Sequence, residues 1–98
     1  MKLPLIVELE AEEDLAEAAR WYEVQRKGLD REFLKSVDAA IAQIRRMPLI
    51  LPKVFEDVRR VPTGRFPYGV FYKVEAEQIS VIAVYHNSRD PRGWQERT

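Results

Sequence analysis

From Leu3 to Leu9 nearly every position is apolar, broken only by Pro4 and Glu8. Such a run predicts a first strand near a sheet edge, where a proline removes no ladder hydrogen bond. From about Ala11 the period changes: Leu15, Ala18, Ala19 and Tyr22 recur at i, i+3, i+4 and i+7 and share one helical face, with Trp21 flanking it. Glu12, Glu13 and Asp14 crowd the first turn, where the helix dipole favours negative charge, and Arg26, Lys27 and Gly28 close the helix. A second helical stripe follows in Phe33, Val37, Ala40, Ile41 and Ile44, while Arg31, Glu32, Lys35, Asp38 and Arg45 point away from it. Pro48 ends that helix. Two amphipathic helices joined by so short a link pack antiparallel as a hairpin, and their apolar faces need a sheet to cover.

The second half supplies the sheet. Val54–Val61 reads as a strand with imperfect alternation, and period two is clear in Tyr68, Val70, Tyr72, Val74 and again in Ile79, Val81, Ala83, Tyr85. The short link Glu75–Gln78 predicts a hairpin between these last two runs, with Val54–Val61 added beside them across the turn-rich Pro62–Pro67. The polar tail Asp90–Arg97 holds one large apolar residue, Trp94, which predicts a short helical turn anchored by that ring. The order is thus β-α-α-β-β-β with a C-terminal helical turn. It predicts an α+β domain over residues 1–98, a helical hairpin packed on one face of a small, mostly antiparallel sheet whose other face can be open.

Composition narrows the chemistry. With 98 residues the chain is one domain's worth, and 46% hydrophobic with 33% charged residues is a globular balance. The absence of cysteine excludes disulfides, thiolate catalysis and cysteine-ligated clusters, and a single histidine, His86, leaves no multi-histidine metal site. No cofactor is expected. The longest apolar stretches, Leu49–Leu51 and Val81–Tyr85, are too short to span a bilayer, and no basic-then-apolar export signal opens the sequence, so a cytoplasmic protein without membrane partners is expected. Sixteen basic and sixteen acidic residues cancel, yet Val58–Val74 contains Arg59, Arg60, Arg65 and Lys73 with no acid, which puts any anion-facing surface in the second half.

Particular words in the sequence then combine with this order of elements. They are Ala11-x-x-Asp14-Leu15-x-x-Ala18-x-x-Trp21-Tyr22-Glu23, Gly28-Leu29 with Phe33, Arg59-Arg60, Phe66-Pro67-Tyr68 with Tyr72, and Val84-Tyr85-His86-x-x-Arg89-Asp90-Pro91-x-x-Trp94. In order and spacing, over nearly the whole chain, they resemble the RelE/ParE toxin family of type II toxin–antitoxin modules, which includes plasmid stabilisation proteins. The resemblance implies a small cytoplasmic toxin that arrests growth and is held inactive, as a hetero-oligomer, by a cognate antitoxin. It implies one of two targets: DNA gyrase, bound without catalytic residues, or mRNA on the ribosome, cut by a metal-independent endoribonuclease. A domain of the same fold kept as a non-toxic binding module is a third reading.

Candidate residues follow for each. Arg59 and Arg60 are adjacent on a strand and point to opposite faces, so at most one serves a ligand on the open face. Arg60, Arg65 and Tyr68 are candidates for holding a partner, since a planar guanidinium binds carboxylate or phosphate bidentately. By position, Arg65 resembles the arginine that stabilises the transition state in RNA-cleaving members. Metal-free RNA cleavage needs proton transfer and neutralisation of a phosphorane, which His86 with Arg65 and Arg89 could supply; the alternative for His86 is a strand-end ring hydrogen-bonded to backbone or Asp90. Lys53 is either a phosphate contact or a solvated charge. Trp21, Tyr22, Phe66, Tyr68 and Tyr72 read more simply as packing aromatics than as stacking platforms. The ribosome-dependent members often carry a basic surface and a tyrosine or histidine near the C-terminus, whereas here the net charge is zero and the last residues are Gln95-Glu96-Arg97-Thr98. That tilts the expectation toward gyrase.

Overall fold

A computed structural model describes residues 2–98. Strand β1 (Leu5–Val7) leads directly into helix α1 (Leu9–Gln25), which takes Leu9 from the expected strand and starts two residues before Ala11, and α2 (Leu29–Arg46) follows. Then come β2 (Lys53–Phe55), β3 (Val58–Pro62), β4 (Tyr68–Val74), β5 (Ile79–His86) and the short helix α3 (Arg92–Gln95). The five strands form one sheet in the order β1-β5-β4-β3-β2, antiparallel except for the β1–β5 pair. β1 is an edge, as Pro4 required, and the Pro4 carbonyl accepts the Ile79 N–H at 2.9 Å. Among the described residues no helix is long and apolar enough to cross a membrane.

The helical hairpin forms as its stripes dictate. Gly28 takes φ 89°, in the left-handed region, with nothing near a would-be Cβ, so its backbone conformation rather than space calls for glycine. Glu23 closes the turn by accepting the Gly28 N–H at 2.9 Å and the Asp30 N–H at 3.4 Å. Ala11, Ala18 and Tyr22 of α1 and Phe33, Val37, Ala40 and Ile44 of α2 are buried against Val61, Val70, Tyr72, Ile79, Val81 and Val84 of the sheet. Phe66, in the β3–β4 loop, joins Tyr22 and Phe33 with ring centroids 5.0 and 5.4 Å away.

Two expectations are corrected and a third is narrowed. The run Val54–Val61 is two strands, because Glu56, at φ 49°, reverses the chain between Phe55 and Val58, which pair with each other. The alternation of β5 is broken by a β-bulge, since Phe71 pairs with Ala83 and Tyr72 with Val81, leaving Ile82 as an extra residue. Ile79 and Val81 face the helices as expected, but past the bulge Val84 takes that face while Ala83 and Tyr85 turn to the other. The second face of the sheet is not fully open either. Trp94 of α3, 5% exposed, stacks on Phe71 with centroids 4.3 Å apart and gathers Val58, Ile82, Ala83, Tyr85 and Phe55 into a smaller core.

Candidate functional site

β1 is only three residues long, so beyond Val81 the edge of β5 away from β4 has no strand beside it and meets α1 instead. The bared backbone groups are answered by side chains. Asp14 of α1 accepts the Val84 N–H at 3.0 Å, and Arg97, arriving from the chain end, donates to the Ile82 carbonyl at 3.0 Å. The two side chains also bind each other, at 2.6 and 3.1 Å, with 8% and 15% exposure. Hydrogen bonding to Asp14 raises the Arg97 pKa above its usual value. Asp14 sits three residues after Ala11 and four before Ala18, on the buried stripe, so its place on an apolar face was the signal that it serves more than the helix dipole. Arg97 carried no such signal.

Beside α1 a cavity of about 610 Å³ opens between Trp21, Tyr22 and Glu17 on the helix, Tyr68, Val84 and His86 on the strands, and Pro67 in the β3–β4 loop. Trp21 is 57% exposed, contrary to the packing expectation; its ring meets that of Tyr22 nearly at right angles, with centroids 5.1 Å apart. Tyr22, Phe66 and Tyr72 are buried as expected, and Tyr68 is half-buried. Burial pushes the Tyr68 hydroxyl above the usual tyrosine value, with Tyr22 and Glu17 adding to the shift and Arg89 opposing it.

His86 is the register partner of Tyr68, and their rings meet edge to face at 5.1 Å. Its Nδ1 accepts the Ser88 N–H at 3.0 Å and lies 2.8 Å from the Ser88 hydroxyl. A backbone N–H only donates, so Nδ1 is the acceptor and the neutral ring carries its hydrogen on Nε2.

A second, smaller cavity, of about 370 Å³, lies on the sheet face opposite the helices and shares His86 and Arg89 with the first. Arg60 enters it from β3, donating to Asn87 Oδ1 at 2.7 Å with its guanidinium 5.8 Å from the Phe71 ring centroid. A Cβ added at Gly69 would stand 2.4 Å from Arg60 Nε, so glycine there lets the arginine lie flat on the β4 backbone. Arg89 lies over the Tyr85 ring at 4.3 Å. No aspartate or glutamate lines this cavity, and among the described residues neither arginine takes part in an ion pair.

The remaining candidates lie elsewhere. Arg59 points to the helix side, where it donates to the Leu49 and Leu51 carbonyls at 3.1 and 2.5 Å and pins the loop after α2. Lys53 pairs with Asp57 at 3.6 Å. Arg65, 72% exposed at its side chain, bonds Glu32 of α2 and lies over Phe66, and it lines neither cavity. Hydrogen bonding from Arg26, against a partial desolvation and with help from Arg65, holds the Glu32 carboxyl below its ordinary value. The structure therefore joins His86 and Arg89 to Tyr68 on one side and to Arg60 on the other, and leaves Arg65 out of both groups.

A helical hairpin on a five-stranded sheet, with these words placed where they are, defines a small toxin-like α+β domain. Residues 5–91 match the family described as "ParE toxin of type II toxin-antitoxin system, parDE". The protein named Toxin ParE2, in two strains of Mycobacterium tuberculosis, is 31% identical over 81 residues, which is 82% of this chain and 77% of that protein. A chain of the solved structure described as the chromosomal ParDE TA system from P. aeruginosa superposes with a TM-score of 0.67 at 19% identity, over 87% of this chain and 96% of that one, a likeness of fold. The chain belongs to the ParE toxin family of type II toxin–antitoxin systems.

Proposed function

We propose that this chain is the growth-inhibiting toxin of its module, that a cognate antitoxin neutralises it, and that it acts by binding DNA gyrase rather than by cutting RNA. The observation that supports a binding inhibitor is the engagement of two of the three residues a metal-free nuclease would use, His86 and Arg65. The Nδ1 lone pair of the only histidine is occupied by the Ser88 N–H, and Arg65 is bonded to Glu32 away from His86 and Arg89. A ring that presents an N–H from Nε2 donates to a partner; it does not take a proton from a 2′-hydroxyl. The second reading, mRNA cleavage on the ribosome, has one observation in its favour: the Arg60–His86–Arg89 cavity holds no carboxylate.

Expression of the toxin alone decides between them. Gyrase inhibition gives filamentous, DNA-damaged cells with total mRNA unchanged and blocks supercoiling by purified gyrase. RNA cleavage stops translation within minutes and leaves cuts within codons of ribosome-bound message. Silence in both assays turns the assignment to a non-toxic binding module.

A further inference from the structure

His86 and Arg89 form a ridge with unlike cavities on its two sides. On the helix side lie the rings of Trp21, Tyr22 and Tyr68 together with Ala18 and Val84, so a buried apolar side chain fits there. The large exposed surface of Trp21 continues at Val24, one turn on and 82% exposed, which makes an apolar approach to the cavity. On the opposite face lie Arg60 and Arg89, each with its guanidinium over an aromatic ring, with Arg60 further fixed by Asn87 and by the missing side chain at Gly69. Two guanidinium groups oriented in advance and lacking a counter-ion make a site for an anion.

Which anion follows from the rest of that cavity. A nucleic-acid strand wants free ring faces for its bases and a positive field for its backbone. Here Phe71 and Trp94 are stacked on each other, Tyr85 is covered by Arg89, and the whole chain has net charge zero. What remains fits a carboxylate on a peptide.

Resting on the antitoxin reading above, we propose that one segment of the antitoxin crosses the His86–Arg89 ridge, seating an apolar side chain against Trp21, Tyr22 and Tyr68 and an acidic side chain on Arg60 and Arg89. The antitoxin thereby covers the cavity where Arg60 and Arg89 stand together without a counter-ion, and a second macromolecule that needs those arginines is displaced by it.

The chain is titrated with the purified product of the neighbouring open reading frame, the candidate antitoxin, by calorimetry and by tryptophan emission. Trp94 is already buried, so a shift of emission to shorter wavelength reports the covering of Trp21. The parent is expected to bind with that shift. Arg60→Ala combined with Arg89→Ala, and separately Trp21→Ala, are each expected to weaken binding about tenfold or more. Gly69→Ala keeps every charge but displaces the Arg60 guanidinium, and weakens binding too. Arg92→Ala, which removes an exposed cation already paired with Asp90, leaves it unchanged.

A parent that does not bind overturns the antitoxin reading and this surface with it. A parent that binds without an emission shift, or whose arginine double variant binds as well as it does, overturns the surface alone. If Gly69→Ala binds like the parent while the double variant does not, diffuse charge rather than a built carboxylate site is at work, and the proposal falls. A short single-stranded oligoribonucleotide is titrated in parallel; loss of its binding in the double variant, with antitoxin binding kept, reassigns the arginines to RNA.

Discussion

Asp14 carries two tasks at once, accepting a backbone N–H of β5 and neutralising Arg97, and both are done out of water. Removing either side chain strands the other as a buried charge, which is the expensive way to break an ion pair. Arg97→Ala is expected to cost on the order of 2–4 kcal/mol, somewhat below the range for fully buried pairs because Arg97 keeps some exposure, or roughly 10–20 °C in Tm for a domain of this size. Thermal unfolding by circular dichroism checks it, and a Tm within a few degrees of the parent would mean water replaces the guanidinium on β5. Arg65 is the contrast. Its pairing with Glu32 is at the surface, where such bonds contribute little, so Arg65→Ala is expected to stay within about 0.5–1 kcal/mol of the parent. Its cation can leave Glu32 for a partner's carboxylate at small cost, so growth inhibition by the same variant is expected to weaken. An alanine variant as toxic as the parent leaves Arg65 as the partner of Glu32 alone.

At the scale of the element, the bulge in β5 decides which side chains meet the cavities. Ile82 is the inserted residue: without it Val81, Ala83, Val84 and Tyr85 alternate regularly and each keeps its present face. Deleting Ile82 is therefore expected to leave a folded protein, less stable by roughly the 1.5–3 kcal/mol that burying one isoleucine contributes. Urea unfolding measures this, and a chain that fails to fold would show that the local twist of the bulge, not only the face of each residue, is required. The helices were legible in the sequence because a stripe such as Phe33, Val37, Ala40, Ile44 admits one reading, and β4 was legible because Tyr68, Val70, Tyr72 and Val74 alternate without fault. The bulge was not, since Val81–Tyr85 is apolar throughout and an unbroken apolar run carries no phase. The β2–β3 reversal was hidden for a related reason: its turn residue Glu56 takes a positive φ without being glycine or asparagine. The site shared this division. Arg60, Tyr68, His86 and Arg89 were visible as residue types, but their sorting into two cavities depended on a phase the sequence did not display, and Arg97 gave no local sign of reaching back to α1.

For the whole molecule, pH separates what the surface contributes from what the core contributes. Arg26 and Arg65 lower the pKa of Glu32, and Arg92 lowers that of Asp90. Groups lowered on folding stabilise above their unfolded values and lose that contribution as pH falls through the folded ones, so this limb lies below about pH 4. Both carboxylates are on the surface and screened, which makes the limb shallow and weaker still in high salt. At the other end, burial raises the hydroxyls of Tyr22, Tyr68 and Tyr72. Groups raised on folding stabilise fully below their unfolded values and lose the contribution as pH rises through the folded ones, so this limb begins near pH 10. Tyr72 is fully buried and donates to the Pro48 carbonyl at 2.8 Å, and as a phenolate it would lose that bond and leave a charge in the core between the sheet and α2. The alkaline limb is therefore expected to be the steeper of the two and indifferent to salt. Tm measured across the pH range at low and high salt, with phenolate absorbance followed in parallel, tests both limbs. Expected are a plateau from about pH 5 to 9.5, a mild salt-sensitive decline on the acid side, and a sharp loss above about pH 10 that coincides with phenolate formation. Tyr72→Phe removes the titrating group and moves the alkaline loss to higher pH, and a variant whose alkaline limb does not move would place the controlling charge on Tyr22 or Tyr68 instead.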